Sequence, residues 1–276
     1  MFPKEPKVED LILEALTEGQ QNTVALIEKI KVKRPQTTKQ AVYKALRVLK
    51  ENETIVQTRE EVSLSSVWLK RLADFTERAE LNYKSIDRPS IDFLGLKPGE
   101  KMSYSFNTFE STDMFWAHAF DVLADVLPVS SPIFLYNPHE WFLLARPESE
   151  VYLFNRTAEH GKKLFLIAGN NDPLDKYVVK YFDGEAKQYY ASSEALFPKK
   201  NYYCNVFDDF LIEVWLDPNV SEKIDSLYKC TKEFDENIKA KLLDMIRQKG
   251  KNKFVITRNK RKADGVKRMF KEYFLI

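Results

Sequence analysis

The chain has 276 residues, 44% of them hydrophobic, with 43 Lys and Arg against 41 Asp and Glu for a formal net charge of +2. That length and composition can bury a core and suit two domains of unequal size, which excludes a disordered or low-complexity chain. A charge so close to zero does not point to nucleic acid by itself, so the placement of the charges has to decide that question.

The opening MFPKEPKVED lacks the apolar stretch and small-residue cleavage site of a signal peptide, and no run of about 18 apolar residues follows anywhere. The expectation is a cytoplasmic protein with no membrane partner. Cys204 and Cys230 stand apart from any histidine spacing and fall in an expected strand and an expected helix, so they read as free thiols. No metal and no cofactor are expected from the sequence.

Three amphipathic helical patterns come first: VEDLILEAL with Val8, Leu11, Ile12, Ala15 and Leu16 on one face, TVALIEKI with Val24, Leu26, Ile27 and Ile30, and TKQAVYKALRVL with Val42, Ala45, Leu46 and Leu49. ETIVQTR and VSLSSVWL then alternate apolar and polar residues around a charged Arg59-Glu60-Glu61 tip, the pattern of a hairpin. Within this segment lies the chain's most telling feature. Between residues 29 and 50 there are eight bases (Lys29, Lys31, Lys33, Arg34, Lys39, Lys44, Arg47 and Lys50) and no acid. Any surface helix needs a polar face, but an ordinary one mixes signs to gain i,i+4 pairs, and this one does not.

The stretch from Thr37 through QAVYKALRVLKEN to Thr54-Ile55-Val56 resembles bacterial and archaeal winged helix-turn-helix regulators. The resemblance covers about the first quarter of the chain and implies that the third helix enters the major groove of double-stranded DNA, usually as a homodimer on two half-sites. Carried onto this sequence, it places Thr38, Lys39, Gln40, Tyr43, Lys44 and Arg47 outward. Gln40 suits an adenine edge and Lys39 or Lys44 a guanine edge, while Thr37, Thr38 and the helix N-terminus donate to phosphate. Glu60 and Glu61 at the tip depart from the pattern, since carboxylates do not lie against phosphates, and this hairpin is expected to pack rather than touch DNA.

Lys70 to Ala79 reads as a short helix, and NYKSIDRPSIDFLGLKPGEK as a linker broken by two prolines and two glycines, with a domain boundary near residue 85. Helical and strand-like segments then interleave: ESTDMFWAHAFDVLADVL (helix), PIFLYN (strand), PHEWFLLARPESEVYLFNRTAEHG (helical, broken at Pro147), KKLFLIAG (strand) and DPLDKYVVKYF (helix). After these come KQYYAS, the hairpin YYCNVFDDFLIEVWL, a long helix over 221–248, the strand NKFVIT and a last helix KADGVKRMFKEYF. The reading is a two-domain chain of α+β and α/β class, a winged helix over 1–85 and a larger α/β domain with a central sheet over 86–276. The 221–248 helix repeats Ile224, Leu227, Thr231, Phe234, Ile238, Leu242 and Met245 at nearly heptad spacing, a stripe that more often packs on its own sheet but also suits a dimer seam.

No G-x-S-x-G, G-x-x-x-x-G-K, G-x-G-x-x-G or paired-cysteine motif occurs, so no catalytic residue is assigned and the chain is not read as an enzyme. From about residue 105 onward, the order of the first helix, PIFLYN, KKLFLIAG and FLIEVWLD looks like the phospholipase-D-like effector domains attached to some winged-helix regulators of the TrmB type. Enzymes of that superfamily carry two H-x-K-x-x-x-x-D motifs. Here His160-Gly161-Lys162 is followed at the required place by Ile167, and there is no second copy. The resemblance therefore implies a ligand-binding or scaffold relative.

Ligand-binding candidates sit where strands should end: His139 and Glu140 in Asn137-Pro138-His139-Glu140-Trp141, and Asn170 in Gly169-Asn170-Asn171-Asp172, with Trp116, His118 and Arg146 nearby in sequence order. Asn-Pro and Asn-Asp-Pro are also ordinary helix starts. A second cationic stretch closes the chain, 11 bases over 247–274 against Asp264 and Glu272, and reads first as a solvated face, with an extended DNA footprint or an anionic ligand held by Arg258, Lys260 and Arg261 as the alternatives.

The composite reading is a sequence-specific DNA-binding transcriptional regulator whose larger domain senses a small-molecule or protein effector and mediates dimerisation. A second reading is a nucleic-acid enzyme, nuclease or phosphodiesterase-like, using His160, Lys162, Asp172, Asp208, Asp209 and Glu213. A third is an antitoxin or defence-system interaction module with an autoregulatory winged helix.

Overall fold

A computed structural model describes residues 6–83 and 92–275. The chain divides into two compact units, residues 1–82 and 83–276. The boundary expected near residue 85 and the first part of the proline-containing linker, residues 84–91, lie outside the described residues.

In the first unit the order is α1 (Val8–Leu16), β1 (Gln21–Asn22), α2 (Thr23–Lys33), α3 (Lys39–Glu51), β2 (Ile55–Thr58), β3 (Glu61–Leu64) and α4 (Ser66–Tyr83). The helices form because their apolar residues recur every three to four positions and so bury one stripe each: Leu11, Ile12, Ala15 and Leu16 from α1, Leu26, Ile27 and Ile30 from α2, Val42, Ala45, Leu46 and Leu49 from α3. Ile55 and Val62 close this core from the strands. At about 1.5–3 kcal/mol for each fully buried large aliphatic side chain, this cluster supplies most of what holds the unit together. Caps set the helix starts. Asn22 accepts from the Val24 amide at 2.9 Å and Thr38 from the Ala41 amide at 3.1 Å.

β3 lies between β1 and β2 in a three-stranded antiparallel sheet. The hairpin tip is anchored, because the Glu60 carbonyl accepts from both the backbone amide and the hydroxyl of Thr23 at 2.7 Å. One expectation is corrected here. VSLSSVWL does not run as a strand to Leu69: the strand stops at Leu64, and the Ser65 hydroxyl accepts from the Trp68 amide at 3.3 Å to start α4. That helix is longer than expected, buries none of its residues and leaves Val67, Leu69, Phe75, Leu81 and Tyr83 exposed.

The second unit opens with a 3-10 turn at Asp92–Gly95, then β4 (Lys101–Thr108), α5 (Phe109–Val126), β5 (Ile133–Asn137), α6 (Phe142–Ala145), α7 (Pro147–Glu159), β6 (Leu164–Ala168) and α8 (Pro173–Tyr177). A second 3-10 turn (Val178–Tyr181) leads to β7 (Lys187–Ala191), β8 (Tyr202–Phe207), β9 (Phe210–Trp215), α9 (Pro218–Cys230), α10 (Glu236–Ile246), β10 (Lys249–Arg258) and α11 (Lys260–Phe270). The strands make one mixed sheet in the order β4-β10-β9-β8-β5-β6-β7, parallel across β5, β6 and β7 and antiparallel elsewhere. Alternation along each strand sends side chains to two faces. Ile133 and Leu135 join the large core with α5, α6, α9 and α10, while Phe134 and Tyr136 meet Ala263, Val266 and Phe270 of α11. Both faces are covered, which is why IFLYN and LFLIA read as unbroken apolar runs.

The single helix expected over 221–248 is two helices. Thr231 leaves helical geometry at φ −105° and ψ 125°, and the Asp235 side chain caps a new start by accepting from the Ile238 amide at 2.7 Å. The apolar stripe is spent inside the unit, with Ile224, Ile238, Leu242 and Met245 in the large core, so the expected dimer seam is not available there. Both cysteines are free, Cys204 buried and Cys230 exposed. Among the described residues no helix is long and apolar enough to cross a membrane.

Candidate nucleic-acid interface and strand-end clusters

α3 presents a polar face because its apolar stripe is fixed inward. Lys39, Gln40, Tyr43, Lys44, Arg47 and Lys50 are all exposed, Tyr43 to 51%. Thr38 is exposed at the helix start with its hydroxyl occupied as the cap. Thr37 is different from its expected role as a phosphate donor. It is buried, and its hydroxyl oxygen is shielded from solvent without a hydrogen-bond partner.

The cationic run splits once it is folded. Lys29 pairs with Glu18 at 2.7 Å, Lys31 with Glu28 at 3.4 Å and Lys33 with Glu14 at 2.8 Å, and Arg34 donates to the Pro6 carbonyl at 3.3 Å. Among the described residues no carboxylate lies within ion-pair distance of Lys39, Lys44, Arg47 or Lys50. The acid-free spacing in sequence therefore overstates α2 and describes α3. Exposed pairs like those of α2 hold little energy, but they cancel local charge. What remains is a compact positive face of one helix, with an amide donor and an aromatic ring among its cations.

In the second unit the ligand candidates fall into two neighbouring clusters at the carboxyl ends of β5 and β6. His139 follows β5 and is 2% exposed. Its Nδ1 lies 3.0 Å from Asp175 Oδ2 and 3.8 Å from Asp172 Oδ2, both carried by the segment after β6. Its Nε2 lies 3.1 Å from the Asn170 amide nitrogen and 3.5 Å from Asp225 Oδ1 on α9, and the Tyr228 ring covers it at 4.3 Å between centroids. Asp175 is fully buried, and its other oxygen accepts the Glu140 amide at 3.1 Å. Burial would raise the Asp225 carboxyl, but the hydrogen bonds from Lys229 at 2.8 Å and Lys200 at 3.0 Å hold it at about 2. Burial pushes Asp172 up, and its Oδ2 has no hydrogen-bond partner. Gly169 permits this crossing of chains, since its amide reaches the Asn137 carbonyl at 3.0 Å and a Cβ there would sit 2.7 Å from the Tyr136 hydroxyl.

The second cluster surrounds a cavity of about 50 Å³ lined by Asp113, Trp116, Asn137, Glu140, Glu150 and Asn205 among others, room for a few waters or a small polar group. Arg146 pairs with two of its lining residues, 2.5 Å from Asp113 and 3.5 Å from Glu150. Glu140 takes hydrogen bonds from the Asn137 side chain and, at 3.3 Å, from the Leu143 amide. Burial drives its carboxyl up to about 7 against the pull of Asn137. Burial, reinforced by Asp113 and Glu140, drives Glu150 to about 8 although Arg146 opposes it. Burial thus pushes both carboxyls toward the protonated form.

Of the six ligand candidates, Trp116 and Glu140 line the cavity, Arg146 pairs with the lining residues Asp113 and Glu150, and His139 and Asn170 meet at the histidine cluster. His118 joins neither, being exposed on α5. Asp175, Asp225, Asp113 and Glu150 carry both sites and were not singled out as ligand residues. Asp172 was the local hint, at the Asn-Asp-Pro helix start, but Asp225 arrives from 86 residues away and leaves no local signal. The residues of the enzyme reading are dispersed. Asp209 binds Arg258 at 2.8 Å, and Glu213 holds Lys262 at 2.5 Å and accepts from the Tyr202 hydroxyl. Lys162 is buried, donating to the Leu127 and Pro128 carbonyls at 2.6 and 2.8 Å. In the basic C-terminal stretch, Arg258 also donates to the Leu96 carbonyl, a structural rather than ligand-facing role.

No protein-family model matches the chain, and no curated protein matches it. Among solved structures it is similar to TrmBL2, described as an archaeal chromatin protein with a novel mode of DNA binding, at 12% identity and a TM-score of 0.37 over 96% of this chain and 91% of that one. A likeness of that size carries neither fold nor function across.

Proposed function

We propose that the first unit is a winged helix that binds double-stranded DNA through α3, and that the chain is a transcriptional regulator whose second unit receives an effector. The observation that carries this reading is the exposed, acid-free face of α3, on which Lys39, Gln40, Tyr43, Lys44 and Arg47 stand together while the lysines of α2 are neutralised. Unpaired cations release counterions when they meet phosphates, and Gln40 and Lys44 provide the hydrogen-bonding heads that read base edges. The Glu60 and Glu61 tip belongs to the fold in this account, since Glu60 anchors Thr23 and Gln20 donates to Glu61 at 3.4 Å. Effector binding is supported by the mainly apolar cavity that Trp116 lines together with the carboxyls of Asp113, Glu140 and Glu150. A homodimer remains part of the proposal on the strength of α4, whose apolar side chains have no cover.

The test is selection of bound sequences from a random duplex pool by the full chain, followed by fluorescence anisotropy on the enriched site. Enrichment of a site bound at least ten times tighter than random duplex is expected. Equal binding to all duplexes rejects a sequence-specific regulator.

A further inference from the structure

We propose that His139, Asp172 and Asp175 bind a divalent transition-metal ion of the zinc class. The three donor groups lie within 4.8 Å of one another, and the two separations from Nδ1, 3.0 and 3.8 Å, bracket the spacing of about 3.4 Å between ligands held some 2.1 Å from a tetrahedral ion. Asp172 Oδ2 faces this space screened from solvent and without a hydrogen-bond partner, an unusual position for a carboxylate oxygen that a cation resolves. One imidazole with two carboxylates suits zinc, manganese or iron better than magnesium or calcium, which prefer oxygen alone.

The surroundings support the donor set. Metal-bound histidines commonly donate their other ring N–H to a carboxylate, and Asp225 stands on that side of His139, 3.5 Å from Nε2, fixed by Lys200 and Lys229. With Nδ1 given to the ion, Nε2 carries the hydrogen toward Asp225, which requires the Asn170 amide to rotate from the orientation in which its nitrogen donates to the Pro138 carbonyl at 3.3 Å. Asp175 is steadied through its second oxygen by the Glu140 amide. The Asp172 side chain, 20% exposed, provides the way in and leaves positions for water on the ion. The two cysteines play no part, so the inference departs from what the cysteine count alone implies.

The experiment is titration of the chelator-treated full chain with ZnCl2 by calorimetry and with CoCl2 by visible absorption, in wild type and Asp172→Asn. One ion per chain is expected, with a cobalt spectrum free of thiolate charge-transfer bands and affinity about 10–100-fold weaker in Asp172→Asn. The Asp172 side chain caps nothing, so this variant keeps the metal-free melting temperature of wild type; His139→Gln is the second variant and abolishes binding if it folds. No saturable binding by wild type, or equal affinity in Asp172→Asn, overturns the proposal. Neither result depends on DNA, so the proposed function stands or falls separately.

Discussion

Glu140 and Glu150 show how single side chains tie the second unit to pH. Their carboxyls sit at about 7 and about 8 in the fold and near 4.5 when unfolded, so between those values the folded chain binds protons that the unfolded chain has released. Stability from these groups is complete below the unfolded value and is lost as pH rises through 7 and 8. Asp225, held near 2, acts oppositely but only in acid, where its contribution fades as pH falls below the ordinary aspartate range. The melting temperature of the second unit is therefore expected to fall by several degrees from pH 5.5 to pH 8.5, and Glu150→Gln to flatten that slope. A flat wild-type profile contradicts this assignment. Gly169→Ala is a second check, since its Cβ meets the Tyr136 hydroxyl at 2.7 Å, and a loss of about 1–3 kcal/mol in denaturant unfolding is expected.

Among the elements, α3 separates what holds the fold from what acts. Leu46 is 1% exposed in the small core, and Leu46→Ala is expected to cost about 2–5 kcal/mol, whereas Lys44→Ala on the opposite face should stay within about 0.5 kcal/mol and still lose DNA binding. Thermal melts beside anisotropy separate the two effects. α4 makes a different prediction: Phe75→Glu with Leu81→Glu is expected to turn a dimer into a monomer by sedimentation without shifting the melting of the first unit. α1, α2 and α3 were legible because their apolar period matches the face they bury, apart from Val24, which is exposed, and β5 and β6 because strands covered on both sides are written as short apolar runs. β4 was missed. It alternates half-buried Met102, Tyr104 and Phe106 with exposed polar residues, but the sequence reading passes over it between a Pro-Gly turn and a helix start. The break after α9 was missed for the converse reason, since Thr231 and Phe234 continue the heptad while the stop depends on the Asp235 cap.

Across the whole molecule, the sequence made the cationic run visible but not its neutralisation, because Glu14 and Glu18 come from a segment before α2 and only folding sets them beside Lys33 and Lys29. It likewise placed His139 and Asn170 at strand ends without the long-range partners that define their chemistry. The central claim is that α3, and not the cationic run as a whole, binds DNA. The measurement that tests it most directly is the salt dependence of duplex binding for two triple variants, Lys39→Ala/Lys44→Ala/Arg47→Ala on α3 and Lys29→Ala/Lys31→Ala/Lys33→Ala on α2. The α3 variant is expected to bind at least a hundredfold more weakly, with the slope of log affinity against log salt reduced by about 2–3, and the α2 variant to stay within a few-fold of wild type. Equal losses in both variants, or a greater loss from α2, would contradict the account.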